Sequence, residues 1–398
     1  MEIKSLKEIA SLIRTGKTPP TKEEKYFDGE INWYSPGDLD KTKYLFTAKR
    51  TITQQAIEDK KAITFPKDTL LVGCIGDIGK LGITSELSSS NQQLTGVLPN
   101  NETNVSYLYY WFKGNKKVLE NYSNNAVVPI LNNRTLETVK IPLPQLDQQK
   151  KIAAILDAAD AYRQKTKALI EKYDELTQSL FLEMFGDLSL KNTKWDILKI
   201  REVIIEYKSG ASIKPAEFTQ NGFPVLHKGA IKTNGGIVVD SKKKAFVSLD
   251  ACIKYKNSIV DKKYLVVTLR DLVPTGPSIG LISHLKHFEI DQYILAQGAY
   301  GLLLNEKLVN PTYMVHWSNS PIYRGELFKY WVGSTQIHLR SSMFFDLDMP
   351  VPNIELQDQF AERVQAIEAQ KAQAQASLAQ ADHLFNSLLQ RAFKGELV

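Results

Sequence analysis

The chain has 398 residues, 43% of them apolar and 24% charged, and 50 Lys and Arg outweigh 44 Asp and Glu for a net charge of +6. The length suits two or three soluble domains, and the charge permits an acidic partner such as DNA without requiring one. No apolar run is long enough to span a bilayer, and the opening MEIKSLKEIA lacks the apolar stretch of a secretion signal. With Cys74 and Cys252 far apart in apolar, strand-like surroundings, the expectation is a reduced, cytoplasmic protein whose cysteines are small buried hydrophobes.

Residues 1–146 are rich in Gly, Asn, Thr and aromatics, with short apolar runs such as TLLVGCIG. They predict a mixed α/β domain of many short strands. GCIGDIGKLGI resembles a phosphate loop but fails as one. Five residues rather than four separate Gly73 from Gly79-Lys80, and Leu81 stands where Ser or Thr is needed. A turn between buried strands is expected instead.

Pro142 and Pro144 then hold the chain extended, because proline cannot join a helix interior. A long helix follows over about Asp147 to Met184, with Asp147 placed to favour its N-terminus. Two heptad rows can be written: Ile152, Ala159, Thr166, Tyr173 and Leu180, and Ile155, Tyr162, Leu169, Leu176 and Glu183. Eight of these ten are apolar, which predicts a coiled-coil seam. Gly186 is the expected stop.

Residues 187–352 repeat the strand-rich composition, for example in KYLVVTL. NPTY (Asn310 to Tyr313) resembles the motif with which amino-methyltransferases hold a flipped base, but Thr312 replaces the second proline. No Gly-rich cofactor loop accompanies it. It is better read as a helix start, with Asn310 capping and Pro311 in the first turn. His284 and His287 lack further ligands at metal spacing, so a loop is expected there. No Ser-His-Asp set or nuclease carboxylate cluster stands out. A second long helix, over about Ile354 to Arg391, carries an apolar stripe of Phe360, Val364, Ile367, Ala374, Leu378, Ala381, Leu384 and Leu388. Gly395 ends it.

The two halves match. Pro142 and Pro350, Pro144 and Pro352, and Leu146 and Ile354 are each 208 positions apart, as are Phe185 and Phe393. Between the globular parts, Gly16 lines up with Gly210, Gly37 with Gly229, and Gly96 with Gly301. NPTYMVHW lines up with NVSYLYYW (Asn104 to Trp111). The chain is an internal duplication: domain, helix, domain, helix. The boundaries expected are 1–146, 147–186, 187–352 and 353–398.

The string PLPQLDQQKKIAAILDAADAYRQKTKALIEKYDELTQSLFLEMFGD (Pro142 to Asp187), with SPGDL (Ser35 to Leu39) and GDIGKLGI (Gly76 to Ile83), resembles the specificity subunit of type I restriction-modification systems. The second half departs more, with Ala230 in place of Asp38 and FKGEL in place of FGDL. The resemblance implies an α+β fold: two α/β target-recognition domains joined by two long helices in an antiparallel coiled coil, with a pseudo-two-fold internal repeat. It also implies a non-catalytic DNA-binding subunit with no cofactor or metal of its own. Each domain would read half of a split site on double-stranded DNA. The helices would set the spacing and dock two methyltransferase subunits, which carry S-adenosylmethionine and usually methylate adenine. Restriction-translocase subunits would join for cleavage. A 38-residue helix is about 57 Å long, more than the 34–36 Å or so of one B-DNA turn, which suits a spacer.

Under that resemblance the DNA-contact candidates are polar and basic residues of Gly-rich loops. They are Arg14, Lys17, Tyr34, Ser35, Lys80, Gln92, Gln93, Asn133 and Arg134 in the first domain. In the second they are Lys208, Lys214, His227, Lys228, Lys232, Gln297, Gln336, His338 and Arg340. Arg and Lys can neutralise phosphates or read guanine, and Gln and Asn can read adenine. Candidate partner-binding positions on the helices are Ile152, Ile155, Tyr162, Leu169, Tyr173, Leu176, Leu180, Phe360, Val364, Ile367, Leu378, Leu384 and Leu388. Two alternatives stand beside this. One is a coiled-coil scaffold that does not bind DNA. The other is a self-contained DNA enzyme, which lacks the cofactor loop and catalytic motif it would need.

Overall fold

The computed structural model describes residues 2–123, 128–186, 188–190, 193–227, 230–231, 237, 246–271, 275–285, 291–333 and 337–397. Two compact units result, Met1–Ala168 with Ala374–Val398, and Leu169–Gln373. Each takes half of each long helix. Those helices are Leu146–Phe185 and Ile354–Lys394, of 40 and 41 residues. Neither contains Gly or Pro, both are rich in Ala, Gln and Leu, and Asp147 and Glu355 lie in their first turns. Gly186 and Gly395 end them at φ +71 and +79. Among the described residues, no helix is long and apolar enough to cross a membrane.

The first unit has a five-stranded sheet in the order Ala10–Thr15, Leu94–Pro99, Leu70–Gly73, Leu81–Thr84, Tyr44–Leu45. A four-stranded sheet (Arg50–Ile52, Phe27–Tyr34, Ser88–Ser90, Thr64–Phe65) accompanies it. GCIGDIGK is the turn between Leu70–Gly73 and Leu81–Thr84, whose residues are all buried, as expected. The second unit repeats the first sheet with four strands, Ile204–Ser209, Ala299–Leu304, Leu265–Thr268 and Ile282–His284. Its second sheet has five strands, Phe218–Thr219, Phe246–Val247, Phe223–Leu226, Gln292–Leu295 and Ile259–Asp261.

The duplication extends to single hydrogen bonds. Gly16 N–H donates to Leu94 O and Gly210 N–H to Ala299 O, both at 2.9 Å. Arg14 faces Gly96 across the sheet, and Lys208 faces Gly301. Asn104 and Asn310 cap helices Val105–Gly114 and Pro311–Asn319, so NPTY is the helix start its sequence suggested. Gly229 lies outside the described residues, as do Asp187 and His287. Cys252 departs from expectation: it is half-buried on the helix Leu249–Lys254 rather than on a strand, whereas Cys74 is buried.

The proline-bracketed helix starts are explained by Gln149 and Gln357, both fully buried. Each amide bolts its long helix to the capped helix of its own unit. Asn104 N–H donates to Gln149 Oε1 (2.8 Å), and Gln149 Nε2 donates to Glu102 O (2.9 Å) and Pro144 O (2.8 Å). Gln357 makes the same three bonds, to Asn310 N–H (2.8 Å), Leu308 O (3.1 Å) and Pro352 O (2.7 Å). The tyrosines Tyr107 and Tyr313 donate to Pro142 O (2.6 Å) and Pro350 O (2.7 Å). The extended Pro-x-Pro segment thus presents carbonyls that a helix would have used internally.

Within each unit the two helix halves run antiparallel. In the first, Ile152, Leu156 and Ala159 meet Phe385, Leu388, Leu389 and Ala392 in the core. In the second, Asp174 pairs with Lys371 (2.5 Å), and Phe181 packs on Phe360 with ring centroids 5.4 Å apart. The seam on the first long helix runs through Ile152, Leu156, Ala159, Arg163, Thr166, Ile170, Tyr173, Thr177 and Leu180, all buried or half-buried. The first predicted row lies on it. The second is displaced by one residue: Ile155, Tyr162, Leu169, Leu176 and Glu183 are exposed. Polarity misled the assignment. Arg163 enters the seam by pairing with Asp382 (2.6 Å), and Thr166 and Thr177 donate to Tyr162 O (2.9 Å) and Tyr173 O (3.0 Å) four residues back. On the second helix, Leu384 is 56% exposed and Phe385 takes its place.

Burial raises the hydroxyl pKa of Tyr34 to about 12, and raises those of Tyr107, Tyr109, Tyr110, Tyr313 and Tyr323 further. A tyrosine held neutral in the folded state stabilises it fully below the unfolded pKa of about 10, and that stability is lost as pH rises toward the folded value. Buried Lys43 and Lys113, with lowered pKa, act in the opposite sense but are outnumbered. Thermal stability should therefore fall as the pH rises above about 10. Melting curves with tyrosinate absorbance check this. Ionisation of all tyrosines without loss of structure would contradict it.

Candidate nucleic-acid interface

In the first unit, three candidate segments converge at one edge. Lys17 N–H donates to Ser90 O (2.9 Å), Cys74 N–H to Gln93 O (2.9 Å) and Leu131 N–H to Cys74 O (2.8 Å). These bonds bring the residues after Ala10–Thr15, the Asn91–Gln93 turn and the start of helix Asn133–Thr138 side by side. Side chains tighten the group. Thr18 bonds Gln92, and Thr15 and Thr95 donate to Asn133 Oδ1 at 2.9 and 3.1 Å. Lys17 Nζ donates to Lys60 O (2.7 Å). Arg14, Lys17, Gln92 and Arg134 are exposed, and Gln93 and Asn133 half-buried.

Other first-unit candidates sit differently. Tyr34 is fully buried and donates to Leu45 O (3.1 Å), so it belongs to the core. Ser35 Oγ donates to Asp38 (2.8 Å) within its own turn. Lys80 pairs with Asp77 at 2.8 Å, which holds that carboxyl below its usual range.

In the second unit, Ala296 N–H donates to Leu226 O (2.9 Å), Leu269 N–H to Gly298 O (2.8 Å) and Leu339 N–H to Leu269 O (2.9 Å). His227, Gln297, His338 and Arg340 are thereby gathered at one sheet end. Gln297 and Arg340 are exposed, and His227 stacks on Phe218 with centroids 5.4 Å apart. Lys208 is turned inward, donating to Ile259 O (2.9 Å) and lying over the Tyr264 ring at 4.8 Å. Lys214 is exposed beside Glu217, whose carboxyl is held near about 2 by bonds from Lys254, Tyr255 and the Lys214 N–H. Lys228, Lys232 and Gln336 lie outside the described residues.

The two gatherings are the same place in the repeat. The bonds of Asn91 to Tyr34 O, Cys74 to Gln93 O and Leu131 to Cys74 O correspond to those of Ala296, Leu269 and Leu339. Gln92 thus matches Gln297, and Ser35 matches His227. Arg270, exposed at this end of the second unit, carried no sequence signal, because only strand adjacency brings it here. Planar amides, guanidinium groups and ammonium groups suit phosphate and base edges. Among the described residues, no group of three or more His, Cys, Asp or Glu could hold a metal ion.

The helix candidates divide. Ile152, Phe360 and Val364 are buried in the intramolecular seam, and Tyr173, Leu180, Ile367, Leu378 and Leu388 are half-buried along it. Ile155, Leu169, Leu176 and Leu384 face outward, at 38%, 43%, 49% and 56% exposure, and Tyr162, 54% exposed, reaches Ser377 Oγ of the second long helix with its hydroxyl (2.8 Å).

Residues 1–173 and 192–380 match the family model for the type I restriction modification DNA specificity domain. The chain is 27% identical over 286 residues to the type I restriction enzyme MjaIX specificity subunit of Methanocaldococcus jannaschii, which covers 67% of this chain and 65% of the relative. It is 25% identical over 331 residues to the MjaVIII specificity subunit of the same organism, covering 78% and 75%. The solved S subunit of a type I restriction-modification system from M. genitalium shares the fold, with a TM-score of 0.59 at 16% identity over 98% of this chain and 96% of that one. Two copies of the family's domain, matched along most of the sequence and built on one repeated hydrogen-bond plan, place this chain in the type I restriction-modification DNA specificity family, as a specificity subunit.

Proposed function

We propose that this chain reads a bipartite site on double-stranded DNA, one half with each globular unit, and has no catalytic role of its own. The observation that carries this is the duplicated polar edge, with Gln92 and Gln297 at matching backbone positions among exposed basic groups. The long helices act as spacer and docking surface. A 40-residue helix is about 60 Å long. Its exposed row of Ile155, Tyr162, Leu169 and Leu176 recurs every seven residues, the spacing a partner helix or groove can follow. Two methyltransferase subunits, carrying S-adenosylmethionine, are the proposed partners, with restriction-translocase subunits in the full cytoplasmic complex.

The test is DNA affinity of the complex with its methyltransferase subunits as a function of salt. Replacing Arg14, Lys17 and Arg134 by Ala should weaken binding and lower the slope of log K against log salt by about two to three. An unchanged slope would remove these residues from the interface. An assembly with no salt-dependent affinity would favour the scaffold alternative.

A further inference from the structure

At the polar edge, the repeat places different chemistry at one equivalent position. Cys74 and Leu269 are equivalent, as are Leu131 and Leu339, by the matched hydrogen bonds. The neighbours Ile75 and Ile130 form an isolated antiparallel bridge in the first unit. In the second unit the same bridge joins Arg270 and His338. Bridged residues present their side chains to one face. An apolar pair thus stands where the other unit has a guanidinium and an imidazole.

A second substitution accompanies the first. Gln93 of the first unit corresponds to Gly298, which has φ +94. A Cβ on Gly298 would lie 3.0 Å from Cδ of Arg270 and 3.2 Å from its Cβ and Cγ. The arginine stem therefore occupies the space that a side chain at 298 would take. It lies across the turn that carries Gln297. Arg270 is exposed, and no ion pair among the described residues engages its guanidinium. The adjacent Asp271 accepts from Ser278 N–H (3.0 Å) and Oγ (2.7 Å).

We propose that Arg270 is a base-reading residue of the second unit, its fork held beside Gln297 by the Gly298 turn and directed at a guanine edge. This rests on the DNA-reading function proposed above. A phosphate contact needs only charge, which a mobile lysine supplies. Lysine can also reach guanine O6 and N7, but a planar fork in a fixed seat holds the two-bond contact best, and the stem laid over Gly298 supplies one. Gln297 is the second planar group at the same place, suited to adenine. The first unit has Ile75 at this position and cannot make the guanine contact.

The test is a map of methylated sites in cells that express the chain with its methyltransferase subunits. It compares the unsubstituted chain, Arg270→Ala, Arg270→Lys and, as a control, Ile75→Ala. Arg270→Ala should lose a preference of roughly 10- to 100-fold for guanine at one position of one half-site, and Arg270→Lys should lose part of it. The other half-site should stay intact, which also reports that the complex is folded. Arg270→Lys keeps the charge but not the fork, so its loss separates base contact from phosphate contact. Ile75→Ala should leave that guanine unchanged. A uniform loss at all sites with the motif intact, or no change, would overturn the assignment. An unsubstituted chain that gives no split motif would overturn the DNA-reading function and this assignment together.

Discussion

Phe360→Ala is expected to destabilise the second unit by about 3–5 kcal/mol, the usual loss for emptying an aromatic core site. Phe360 is fully buried. Its ring lies 5.4 Å from Phe181, 5.2 Å from Phe185 and 5.3 Å from His316. Those three come from the first long helix and from Pro311–Asn319, so one side chain joins both long-helix halves to the domain. All three contacts are edge-on, between stiff rings that cannot collapse into the space as a flexible chain would. Hydrogen exchange resolved by segment is the measurement. Protection should fall in Pro311–Asn319 and in the helix halves of this unit. A loss below about 1 kcal/mol would mean that the cluster relaxes around the cavity.

Arg163→Ala should act comparably in the first unit, by a different force. Its guanidinium pairs with Asp160 (2.5 Å) and Asp382 (2.6 Å) and lies 4.4 Å from the Phe385 ring centre. Nearby, Asp157 takes Lys43 (2.5 Å) and the Tyr110 hydroxyl (2.6 Å), and Lys113 is 3.7 Å from Asp160. The side chains of Arg163 and Asp160 are only 15% and 14% exposed. Removing the arginine leaves the mostly buried Asp160 carboxylate with Lys113, at 3.7 Å, as its remaining ion-pair partner. The expected cost is about 2–4 kcal/mol. Asp382→Asn should cost less than about 1 kcal/mol, because Asp382 is 40% exposed and water replaces its partner. Equal effects of the two substitutions, measured by denaturant unfolding, would contradict this division.

Much of the architecture was legible in the sequence because its signals are local. Proline brackets, uninterrupted helix formers, terminal glycines and a constant offset gave both long helices and the duplication. The exact seam was not legible. Ile155 and Leu156 are adjacent, as are Leu169 and Ile170, so apolarity alone could not choose the phase. Polar Arg163 and Thr177 hold seam positions through partners that only the fold supplies. Gln149 and Gln357 were hidden for the same reason: two of the three hydrogen-bond partners of each lie more than 40 residues away in sequence. Loop composition picked out Lys17, Gln92 and Gln297, which the fold places at the polar edge. Tyr34 was drawn in by its neighbours and lies in the core, and Arg270 was not among the candidates because strand pairing, not sequence proximity, brings it to that edge.

The most direct measurement is a map of every methylated base in host DNA when this chain is expressed with its methyltransferase subunit. The expected result is a split motif: two short defined halves separated by a fixed unspecified gap. A continuous undivided motif, or no methylation from an assembled complex, would contradict the claim that the duplicated units each read half of one DNA site.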